Sequence, residues 1–150
     1  MNLDRSRTLL NQGLDELASA RNHLNFSFQR VGPLPNHLDG IEGEQLESAE
    51  AFTSRFARVV DLLVNKVLRS LDRVELRPEG TLLDVVHGAE KRGFVKRAGL
   101  LREMKEIRNA IAHDYAGSQL PEIFAYCREH KLILDGICER LEGYVAKLPD

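Results

Sequence analysis

The chain has 150 residues, with 21 Lys+Arg against 23 Asp+Glu, a formal net charge of −2. Hydrophobic residues make up 43% and charged residues 29%, a balance that excludes intrinsic disorder and predicts one globular domain over residues 1–150. The near-neutral total also argues against a uniformly polybasic nucleic-acid binder.

Apolar residues recur at intervals of three and four, and alternating strand-like runs are absent, so the predicted fold class is all-α. Leu10, Leu14, Leu17, Leu24 and Phe28 mark a first helix over residues 3–30. Gly32-Pro33-Leu34-Pro35-Asn36 ends it, and a loop containing Gly40 and Gly43 runs to about residue 44. A second long helix is predicted over 45–74, with Ala49, Phe52, Phe56, Val59, Val60, Leu63, Val67 and Leu71 on one stripe. Asp39, Glu42, Glu44, Glu47 and Glu50 precede or open it without an intervening base, where a helix dipole favours anions.

Arg77-Pro78-Glu79-Gly80 predicts a turn, and Thr81 with Asp84 predicts the capped start of a short helix ending near Gly93. A further helix is predicted from about Lys96 to His113. Gly117-Ser118 breaks it, and Pro121-Glu122 opens a last helix with Ile123, Phe124, Cys127, Leu134, Ile137, Cys138, Leu141 and Val145 on its stripe. Four to five such helices with short loops make an up-and-down helical bundle. Amphipathic rods this long in so small a chain predict a homodimer.

No apolar run is long enough to span a membrane, so no membrane association is expected. Cys127 and Cys138 lie eleven residues apart on one helix. That is about 16 Å of rise, too far for a disulfide, so they are expected to be core residues of a cytoplasmic protein. The five histidines do not pair at metal-ligand spacing, and no phosphate-binding glycine loop occurs, so neither metal nor cofactor is expected.

The segment with chemical content is Lys105-Glu-Ile-Arg108-Asn109-Ala-Ile-Ala-His113-Asp-Tyr115. On a helical wheel with Arg108 at zero, Lys105, Asn109, Arg102, His113 and Glu106 fall between roughly 60° and 160°, while Leu100, Leu101, Met104, Ile107 and Ile111 fall on the opposite side. One face is apolar; the other carries a permanent cation, an amide and an imidazole. That set suits phosphodiester cleavage. An imidazole moves protons near neutral pH, a guanidinium holds a phosphate, and RNA supplies its own 2′-hydroxyl nucleophile. Residues 91–108 hold Lys91, Arg92, Lys96, Arg97, Arg102, Lys105 and Arg108 against Glu103 and Glu106, a local excess of five positive charges that a phosphate backbone would favour.

Arg108-Asn-Ala-Ile-Ala-His113-Asp-Tyr115 resembles the Arg-x4-His-x-Tyr signature of HEPN domains, in particular the HepT toxins of HepT–MntA toxin–antitoxin systems, and is similar to the related nucleotidyltransferase substrate-binding proteins. The resemblance implies a homodimeric, metal-independent endoribonuclease, with Arg108 and His113 catalytic and Asn109 supporting them. RNA would lie on Lys96, Arg97, Arg102 and Lys105. It further implies a minimal nucleotidyltransferase antitoxin as partner, which would inhibit the toxin by attaching AMP to Tyr115. The alternative is a non-catalytic substrate-binding subunit of a nucleotidyltransferase. Arg108 and His113 stand five residues apart, about 140° around a helix, an offset that a site built from two chains relieves.

Overall fold

The computed structural model describes residues 3–114 and 117–149. Those residues form a bundle of α-helices with no strand among them. Helix α1 spans Leu3–Val31, helix α2 Gly43–Asp61 and helix α3 Arg69–Val74, the last two joined without a break by a π-helical segment, Leu62–Leu68. Helix α4 spans Leu82–Lys91, α5 Ala98–His113 and α6 Leu120–Ala146.

Helix α1 alternates small and large residues on its inner face. Ser6, Gly13, Ala20 and Ser27 lie between Leu10, Leu17 and Leu24, and all are buried. The small positions let the α2 rod approach closely. A Cβ placed on Gly13 would lie only 3.3 Å from Val67 Cγ2, so the Val67 side chain would have to yield by a few tenths of an ångström to admit it. The pairing is antiparallel: Lys66 Nζ meets Glu16 at 2.7 Å, and Arg55 donates to the Ser27 hydroxyl at 2.8 Å.

The predicted stripe of the second rod is buried throughout, including Leu63, Val67 and Leu71. The π-helical segment was not anticipated from the sequence. Its wider turn brings Leu63, Val64, Val67 and Leu68 all into the core. Rings from three helices link the bundle's centre: Phe28 and Phe52 lie 5.9 Å apart between centroids, and Phe52 and Phe124 5.7 Å.

Helix α6 lies antiparallel to α1 and buries the whole of its predicted stripe, both cysteines included. One charged residue, Lys131, is buried within that stripe. It is compensated there by Asp135 at 2.6 Å, by the Asn25 side chain, and by the Phe28 ring 4.9 Å below its ammonium. Beside it Arg21 on α1 reaches Glu142 at 2.9 Å and Asp135 at 3.6 Å.

The loop from 32 to 42 is held down by Leu34 and Leu38, both buried, and by Arg128 on α6. No helix is long and apolar enough to cross a membrane, among the described residues.

Candidate functional site

Helix α5 owes its position to contacts at both ends. At its start, Arg97 offers no capping side chain. Glu90 at the end of α4 substitutes, its carboxylate accepting the Ala98 N–H at 2.8 Å. The Thr81–Asp84 capping box that opens α4 forms as the sequence predicts. The Thr81 N–H donates to Asp84 Oδ2 at 2.9 Å, and these Thr81 hydrogen bonds hold the Asp84 carboxyl below the usual range. At the far end Asp114 Oδ2 accepts the Gln119 N–H at 3.1 Å, tying the residue that ends α5 to the residue that precedes α6.

Between these ends Ala98, Leu101 and Met104 are buried, with Leu100, Ile107 and Ile111 packed against the core. Arg102, Glu106, Asn109 and His113 are exposed on the opposite arc, and His113 is the last residue of the helix. Lys96 and Arg97 are exposed just ahead of it. Tyr115, the residue that the HEPN resemblance assigns to AMP attachment, lies outside the described residues.

Arg108 and Lys105 stand at the border of the two faces, and the rod opposite them supplies an acid. Asp61, the last residue of α2, places Oδ2 2.9 Å from Arg108 Nη2 and Oδ1 2.5 Å from Lys105 Nζ. Asn65, one turn later in the π-helical segment, donates to the same Oδ1 at 3.1 Å. Arg108 Nη1 in turn donates to Asn109 Oδ1 at 3.3 Å, so the arginine and the amide beside it are directly linked. Burial on its own would raise the Asp61 carboxyl. The hydrogen bond and charge of Lys105, followed by those of Arg108, outweigh it and hold the group below its usual value.

The basic excess of residues 91–108 is therefore smaller at the surface than in the sequence. Arg92 is turned inward, its side chain only 3% exposed, and meets Asp72 at 2.9 Å and Glu75 at 2.8 Å. Lys105, its side chain 13% exposed, is turned onto Asp61. Lys91, Lys96, Arg97 and Arg102 remain as the exposed cations. Arg97 makes one long contact, 3.9 Å, to Glu103. Glu103 also faces His130 of α6 at 3.9 Å, whose ring stacks on Tyr126 with centroids 3.8 Å apart.

The C-terminal end of α5 opens onto a cleft of about 420 Å³ against α2, bounded by Glu50, Thr53, Ile111, Asp114 and Leu120. Its charges are acidic. Glu50 and Asp114 line it, and Glu42, Glu44 and Glu47 are exposed just before or within the first turns of α2. The helix thus carries cations toward its start and borders an acidic cleft at its end. Among the described residues no group of three or more His, Cys, Asp or Glu is placed to hold a metal ion.

No family model matches the sequence, and no curated protein or solved structure matches it significantly.

Asp61 and Asn65 are the site residues that the sequence reading missed. A signal was present: between residues 51 and 71 Asp61 is the only acid, among Arg55, Arg58, Lys66 and Arg69, and it interrupts an otherwise apolar run, Val59-Val60-Asp61-Leu62-Leu63.

Proposed function

We propose that this chain is a metal-independent endoribonuclease of HEPN type, a HepT-like toxin that acts as a homodimer and is neutralised by a minimal nucleotidyltransferase antitoxin. The observation that carries the reading is the arrangement at the end of α5. Arg108, hydrogen-bonded to Asn109, and the exposed His113 belong to one helix and to the motif that resembles HEPN domains.

In this reading the 2′-hydroxyl of RNA attacks the adjacent phosphorus, and the 5′-oxygen of the next nucleotide leaves. One base takes the 2′-proton and one acid delivers a proton to the leaving oxygen, while Arg108 stabilises charge on the phosphorus-bound oxygens. A single chain offers one motif histidine. A second copy facing the first supplies the other, which is the chemical reason for a dimer. The exposed Lys96, Arg97 and Arg102 would hold the flanking phosphates. An AMP group on Tyr115 would add negative charge to the chain and so oppose the binding of an RNA phosphate backbone.

Purified protein incubated with RNA in EDTA is the test. Cleavage is expected, and Arg108→Ala and His113→Ala should each abolish it. Intact RNA, or equal cleavage by His113→Ala, would overturn the reading. Co-expression with a neighbouring nucleotidyltransferase should add the mass of AMP to wild type and not to Tyr115→Phe.

One observation favours a second reading, a non-catalytic nucleotide-binding subunit: Arg108 is already engaged by an acid of its own chain. Nucleotide binding without any RNA cleavage would select it.

A further inference from the structure

We infer that Asp61 is the positioning residue of the Arg108 site, with Lys105 as the counter-charge that keeps the site cationic; the inference rests on the ribonuclease reading above. Two independent features meet at Asp61. It holds both cations of the α5 border, and the π-helical segment begins at the next residue. Such insertions re-aim the side chains around them and recur at functional sites. Here the segment also carries Asn65, which fixes the Asp61 carboxylate from its own helix.

Each carboxylate oxygen has a separate task. Oδ1 accepts from Lys105 and Asn65; Oδ2 meets Arg108 at 2.9 Å. A guanidinium has five N–H donors. Asp61 engages Arg108 at Nη2 and Asn109 engages it at Nη1, which fixes the plane of the group and leaves donors over for a phosphate. An acid beside a phosphate-binding arginine would ordinarily cancel its charge. Lys105 prevents this: the cluster of one acid and two bases stays at net +1. Lys105 is thus placed to neutralise Asp61 rather than to touch RNA.

The two charges should therefore fail differently when removed. Asp61→Asn leaves Arg108 cationic and held only by the neutral Asn109 contact. Turnover at saturating RNA should fall by at least about tenfold, because orientation is lost, while RNA affinity stays within about threefold or tightens. Lys105→Met leaves Asp61 to cancel Arg108, so RNA affinity should weaken by about fivefold or more. A readout independent of turnover is the Arg108 Nε–Hε signal in solution NMR. It should be dispersed in wild type and move to the exposed-arginine position in Asp61→Asn.

Wild type that leaves RNA intact in EDTA overturns the ribonuclease reading, and the inference with it. Wild type that cleaves RNA, with Asp61→Asn equal to it in turnover or with the Arg108 signal unmoved, overturns the Asp61 assignment alone. If Asp61→Asn melts below the assay temperature, Lys105→Met decides: weakened RNA binding supports the assignment and unchanged binding overturns it.

Discussion

Arg128 on α6 donates through Nη2 to the carbonyl of Val31, the last residue of α1. The same guanidinium reaches the carbonyls of Gly32 at 2.9 Å and Leu34 at 2.7 Å, and lies 5.1 Å over the Phe124 ring. The end of a helix leaves carbonyls without intrahelical partners, and one forked cation satisfies several of them here. Arg128→Ala should therefore cost about 2 kcal/mol, the scale of lost charged hydrogen bonds, measured by urea unfolding. Arg128→Lys should recover less than half of that, because an ammonium cannot fork.

Arg92 joins three helices in a similar way. At the end of α4 it meets Asp72 of α3 and Glu75 just beyond it, and Glu75 Oε2 also accepts the Tyr144 hydroxyl of α6 at 2.6 Å. Removing one partner of a buried ion pair leaves the others desolvated without compensation. Arg92→Ala should lose about 3 kcal/mol, lowering Tm by roughly 10 °C in a chain of this size. Arg102→Ala, at an exposed position of α5, is the matched control and should shift Tm by no more than about 2 °C.

These two arginines also show what was and was not legible in the sequence. The helices were, because a buried stripe at intervals of three and four needs no knowledge of its neighbour: Phe52, Phe56 and Val60 face inward whichever helix covers them. The partner of a charged residue is a different matter. Arg92 counts as a surface cation until α3 is placed beside it. Lys131 belongs to a buried face that its residue type would exclude. The π-helical segment was hidden because Leu63, Val64, Val67 and Leu68 fit an α-helical stripe as well as a π-helical one. At the candidate site the wheel set Arg108 beside Leu101, at the edge of the core. Which acid would meet it there depended on an approach 47 residues away in sequence, from Arg108 back to Asp61.

Cys127 and Cys138 give a prediction from burial alone. Both are buried free thiols. Loss of solvent pushes each thiol upward, Cys138 to about 12 even with Arg21 opposing the shift. The thiolate is the reactive form, so neither should react with a thiol reagent at pH 8 in the folded protein, and both should react in denaturant. Rapid labelling of either in native conditions would show that α6 opens from the bundle.

The last prediction concerns the Asp61 cluster and acid. Its carboxyl lies below the ordinary value of 3.8 in the folded chain, chiefly through Lys105 and then Arg108 acting against burial. The ionised form is thus favoured by folding. Its stabilising contribution is complete above the unfolded value and is lost as pH falls through the lower folded one. Wild type and Asp61→Asn should differ in urea midpoint by a constant amount from pH 7 down to about 5, with wild type the more stable, and the gap should close as pH falls below about 4 and through the lower folded value. A gap that persists in acid strong enough to protonate the carboxyl would mean that Asp61 stabilises the bundle by packing and neutral hydrogen bonds. A gap absent at pH 7 would mean that its hold on Lys105 and Arg108 contributes nothing net to folding and serves only to place the guanidinium.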